Sequence, residues 1–128
     1  MRLTPLRTIR LVLSGAGSAF CAEGDLKEFR QFLQDEKLDE LETIVREISA
    51  IFARLEALPI PIIAALNGTT DAGGLELTLC CNIVLAAENA RIGDGHVCFG
   101  VLPGGGAAAR LPCKNPTTRP LNSSCRAS

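Results

Sequence analysis

Nine apolar positions, Leu38, Leu41, Ile44, Val45, Ile48, Ile51, Phe52, Leu55 and Leu58, recur at three- and four-residue spacing. Asp39, Glu40, Glu42, Arg46, Glu47 and Arg54 fill the opposite face, so the stretch predicts an amphipathic helix packed on a core and ended by Pro59. Two short apolar runs flank it. Thr8 to Ser14 and Ile60 to Leu66 read as strands, the second with Pro61 near its start. Near-continuous apolar strands of this length suit a parallel sheet covered on both faces. Gly15-Ala16-Gly17-Ser18 ends the first and Asn67-Gly68 turns after the second, leaving Ala19 to Asp25 and Thr69 to Gly74 as loops. Gly73 to Cys81 reads as a helix led by glycines. Ile83 to Ala87 reads as a third strand and Arg91-Ile92-Gly93 as a short fourth. Strands alternating with helices define an α/β fold with crossover connections.

Composition narrows the function. A chain of 128 residues fits one domain, and 47% hydrophobic against 21% charged residues excludes a solvated disordered chain. The formal charge of -1, with no Trp and no Tyr, argues against nucleic acid as a partner. The apolar runs are too short for a membrane span or a signal-peptide core, so a cytoplasmic protein is expected. The six cysteines form no CxxC pair and the only histidine is His96, so no metal site is expected. Cys113 to Ser128 carries three basic residues and no acid, with no strand or helix period, and reads as a disordered tail behind a core of residues 1–112.

Two loops bear on chemistry. Cys21-Ala22-Glu23-Gly24-Asp25 and Asp71-Ala72-Gly73-Gly74 each follow an apolar strand, where a parallel sheet forms its ligand crevice. Glycine lets a backbone N–H approach a ligand closely, and two converging N–H groups would form an oxyanion hole. Taken alone, these glycines read as turns. Glu76 stands in the apolar run Leu75 to Cys81, either lining a crevice as an acid or base or lying on a solvated helix face. His96 lies in the polar segment Gly93 to Val97, and a lone histidine there is either structural or a proton carrier.

The order of motifs resembles the crotonase family of enoyl-CoA hydratases and isomerases. Ala19-Phe20-Cys21-Ala22-Glu23-Gly24-Asp25-Leu26 is similar to its AFCAGGDL segment. Pro61 to Gly68, then Ala72-Gly73-Gly74-Leu75-Glu76-Leu77, resembles its P-[VI]-IAA-[VI]-NG and GGGLEL stretch. Ala86 to Gly93 looks like its AAE-x-A-x-[FI]-G, and Phe99 to Gly106 with Arg110-Leu111-Pro112 looks like its PG-[GA]-G and RLP block. The resemblance runs from about Arg7 to Pro112.

It implies a crotonase-type (ClpP/crotonase) repeated ββα core, here incomplete, and an acyl-CoA thioester as the partner. Coenzyme A would arrive with the substrate, so no separate cofactor is implied. By motif position Gly24 and Gly73 would donate to the enolate oxygen. Glu76 would be one catalytic glutamate, and His96 stands at the position of the second. Ala22, Asp25, Leu26, Gly74 and Pro103 fall in the implied substrate contacts. Glu23 replaces a family glycine, Asp71 an apolar residue, and Ala72 the first of three glycines, a mild change. The family continues on both sides of the matched segment and forms homotrimers, so the chain reads as a core truncated at both ends. Three readings follow: a hydratase adding water to a 2-enoyl-CoA, with isomerisation, hydrolysis or decarboxylation of a thioester as variants; an inactive remnant or binding module; or an interaction protein docking through the Leu38 to Leu58 helix.

Overall fold

The computed structural model describes residues 9–22 and 26–114. Its elements run β1 (Leu11–Ser14), β2 (Ala19–Cys21), α1 (Leu26–Gln34), α2 (Leu38–Glu56), β3 (Ile62–Leu66), β4 (Thr69–Thr70), α3 (Gly73–Leu79), β5 (Ile83–Ala86), a 3-10 helix (Gly95–Phe99) and α4 (Ala107–Lys114). β1, β3 and β5 form a parallel sheet in that order, and β2 pairs with β4 in a second parallel ribbon. Leu11 to Ser14 stand opposite Ile62 to Ala65, and Ile63 to Leu66 opposite Ile83 to Ala86. A single bridge, Thr70 to Ile92, extends the ribbon. The unit is thus a strand in the large sheet followed by a short strand in the ribbon. It recurs at β1–β2, β3–β4 and β5–Ile92, with helices between, which gives the expected ββα repeat.

The repeats are locked by amide side chains. Asn67 accepts the Gly15 N–H at 2.9 Å and donates to the Gly17 carbonyl at 2.9 Å, holding the β1–β2 turn against the β3–β4 turn. Asn82 plays the matching part at the other end: its side chain accepts the Ile62 N–H at 2.8 Å, and its own N–H donates to the Ile62 carbonyl at 2.9 Å. Such bonds satisfy backbone groups that the short strands leave unpaired. Ile62, Ala64, Leu66 and Cys81 form the sheet core, with Leu11, Leu13, Phe20, Leu55 and Ala90 packed on it. Leu75 and Leu79 of α3 pack on Ala107 and Leu111 of α4 in a second cluster.

Several expectations need correction. Ala19 to Cys21 and Thr69-Thr70 are strands rather than loops, because segments of two or three residues are too short to show a period. Arg91 to Gly93 makes one bridge rather than a strand. Helix α1 has only a weak signal in the sequence: Leu26, Phe29, Phe32 and Leu33 follow helical spacing, but polar residues surround them. Residues 113 and 114 continue α4 through Pro112, and 115–128 lie outside the described residues. Helix α2 matches its prediction in extent but not in packing. None of its residues is fully buried, and Leu38 and Ile51 are exposed. Of the stripe, Leu55 joins the sheet core, while Leu41, Ile44, Val45, Ile48 and Phe52 line a cavity.

Candidate functional site

That cavity, of about 540 Å³, lies between α1, α2, the first turn of α3, the 3-10 helix and the segment Gly100–Gly105. Phe29 and Leu33 of α1 and the α2 stripe supply an apolar wall. Glu76, His96 and Gly73 supply the polar end. A mostly apolar hollow with a few convergent polar groups is the usual form of a small-molecule site.

Glu76 reaches this end because α3 starts two residues after Asp71, which fixes the turn. The Asp71 side chain accepts the Ala72 N–H at 2.9 Å, and its carbonyl accepts the Gly74 N–H at 2.8 Å. A Cβ at Gly74 would overlap the Cys21 carbonyl oxygen, so glycine brings the helix start against β2. Glu76 is then 3% exposed, which excludes the solvated-face reading. Its Oε1 accepts the Ala107 N–H at 3.1 Å, a bond that partly offsets the cost of burial. Its Oε2 lies 3.7 Å from His96 Nε2. Gly105 closes over the carboxylate. A Cβ there would stand 2.5 Å from Glu76 Oε2 and 2.6 Å from the Phe52 ring, so any side chain would displace one of them.

His96 is 5% exposed and sits in the 3-10 helix rather than in a loop. Its Nδ1 is 2.6 Å from Asp94 Oδ1. Asp94 was not singled out in the sequence. Its signal is the spacing Asp94-Gly95-His96, in which a capping aspartate meets the ring two residues on. Gly105 was read only as part of a glycine run.

The remaining site residues divide. Gly73 lines the cavity, and its N–H takes no acceptor among the described residues. The Gly74 N–H is engaged by Asp71, and Ala22 and Pro103 stand away from the cavity wall. Gly24 and Asp25, like Glu23, lie outside the described residues, and Leu26 opens α1. Ala72 has φ 44° and ψ -112°, a conformation that glycine adopts readily and alanine does not. The change from glycine at this position is therefore not mild.

Residues 7–119 match the family model described as enoyl-CoA hydratase/isomerase. Relatives include a mitochondrial methylglutaconyl-CoA hydratase of Pyricularia oryzae, 42% identical over 106 residues, covering 82% of this chain and 29% of the relative. An enoyl-CoA isomerase/hydratase of Mycosarcoma maydis is 39% identical over 103 residues, covering 80% of this chain and 36% of that protein. The crystal structure of an enoyl-CoA hydratase from Bacillus anthracis superposes with a TM-score of 0.77 at 37% identity, covering 92% of this chain and 45% of that one. The chain belongs to the enoyl-CoA hydratase/isomerase family, and its fold is part of the crotonase core. It spans less than two fifths of the length of these two relatives. Among the described residues no helix is long and apolar enough to cross a membrane.

Proposed function

We propose that the chain binds a 2-enoyl-CoA thioester and adds water across its C2–C3 double bond. The observation that carries this reading is the pair of proton-transfer groups, Glu76 Oε2 and His96 Nε2, 3.7 Å apart at the wall that Gly73 shares. Glu76 takes a proton from water as the water oxygen bonds C3. The electron pair of the double bond moves onto the thioester oxygen as an enolate. The Gly73 N–H holds that oxygen, with Gly24 the second donor by motif position alone, each donor contributing roughly 3 kcal/mol to the barrier by analogy with oxyanion holes elsewhere. The imidazolium of His96 then protonates C2, and the enolate electrons return to the carbonyl. A proton passing from Glu76 to His96 resets the site.

The apolar wall of Phe29, Leu33, Ile44, Ile48 and Phe52 accommodates a plain hydrocarbon acyl group. The assembly that goes with this reading is the homotrimer, and the compartment is the cytoplasm.

A thermal melt with and without acetoacetyl-CoA tests the binding half of the reading. At about 100 times its dissociation constant the ligand stabilises a native site by roughly 2.7 kcal/mol. An upward shift accompanied by hydration of crotonyl-CoA is expected. A shift without turnover leaves a binding module, and a melt indifferent to the ligand rejects the proposal.

A further inference from the structure

Asp94 is a buried carboxylate that the hydration scheme leaves without a part; it is 5% exposed. Its Oδ1 has two neighbours, the His96 backbone N–H at 3.3 Å and the ring Nδ1 at 2.6 Å. Helix capping alone would account for an aspartate here, but the ring contact is the shorter of the two. An ionised carboxylate only accepts, so Nδ1 carries the hydrogen. In the neutral ring that leaves the Nε2 lone pair aimed at Glu76 Oε2, 3.7 Å away. Two acceptors facing one another repel, and one proton between them removes the repulsion. The gap is too long for a direct hydrogen bond and suits a bridging water or substrate atom.

We infer that Asp94 is a positioning residue that holds the His96 proton on Nδ1, so that Nε2 and Glu76 Oε2 share the one mobile proton of the site. The chemical use of that proton rests on the hydration reading; the tautomer does not. Among the described residues two carboxylates meet the ring, Asp94 of its own segment at Nδ1 and Glu76 of α3 at Nε2, and Glu28 of α1 lines the same cavity. Asp71 presses on the neighbouring Gly95, where a Cβ would lie 2.9 Å from its Oδ1.

The chain has a single histidine, so a 15N-histidine label reports on His96 alone. The full chain is followed by NMR over a range of pH as wild type and as Asp94→Ser. Serine caps a helix about as well as aspartate but takes the carboxylate away from the ring. The neutral wild-type ring is expected to carry its proton on Nδ1. In Asp94→Ser the population shifts toward the Nε2-protonated form. With crotonyl-CoA, kcat falls on the order of 100-fold at little change in KM, the lower range for one acid–base group. An Nε2-protonated wild-type ring overturns the inference without recourse to any variant. So does a variant with an unmoved tautomer, which would mark Asp94 as a cap only. An Nδ1-protonated ring in a chain that turns over no 2-enoyl-CoA upholds the inference and rejects hydration.

Discussion

Arg110 grips Glu56 through two parallel hydrogen bonds, Nε to Oε1 at 2.9 Å and Nη2 to Oε2 at 2.8 Å, joining α4 to the end of α2. The same guanidinium donates to the Gly105 carbonyl at 2.5 Å. One side chain thus ties together α2, α4 and the segment that covers Glu76.

This clamp has a pH signature. The Arg110 hydrogen bonds hold the Glu56 carboxyl below its ordinary value of 4.5. A carboxylate with a lowered folded value stabilises the protein above its unfolded value and loses that contribution as pH falls through the folded one. Stability should therefore fall as pH drops from about 4.5 downward. Glu56→Gln should flatten that fall while costing about 1 kcal/mol near neutrality, a small figure because the Glu56 side chain is 37% exposed. Urea denaturation at a series of pH values measures both.

Gly105 has no room for a side chain, since a Cβ would meet the Glu76 carboxylate and the Phe52 ring together. Gly105→Ala should destabilise by roughly 1–3 kcal/mol, the usual range for overpacking. It should also push the Glu76 carboxylate from its place and reduce turnover more than thermal stability would account for. Turnover and melting temperature measured on the same preparation separate the two effects.

Ala72 is fully buried at φ 44°, on the turn that starts α3. Such backbone costs of order 1–3 kcal/mol for a residue with a Cβ. Ala72→Gly relieves the strain but loses a buried methyl and adds chain entropy, so a net gain of about 1 kcal/mol is expected. An increase in the denaturation midpoint at unchanged slope would show it.

The long periodic element was legible in the sequence, and so was the order of apolar strands. Helix α2 is nineteen residues of repeated spacing, and β3 is a run of Ile, Ala and Leu bounded by Pro61 and Asn67-Gly68; neither depends on distant contacts to be seen. The ribbon strands β2 and β4 exist because each pairs with the other across about fifty residues, which local composition does not encode. The same limit applies to packing. The α2 stripe reads as a core face in any one-dimensional pattern, and only the placement of α1 and the Gly100–Gly105 segment makes it a cavity wall. At the site, Glu76 stood out as a charge in an apolar run and Gly73 as part of a motif. Asp94 did not stand out, because an aspartate between glycines looks like a turn until the His96 ring is seen folded back on it.

In the proposed reaction Glu76 moves protons on a CoA-bound enoyl group. The direct test is the loss of crotonyl-CoA absorbance catalysed by the purified chain and by Glu76→Gln, with product identified as the 3-hydroxyacyl thioester. Hydration by the wild type is expected, with a drop of about 10²–10⁴-fold in kcat for a variant that still melts cooperatively and still binds acetoacetyl-CoA. Equal turnover by the two proteins would rule out that role for Glu76.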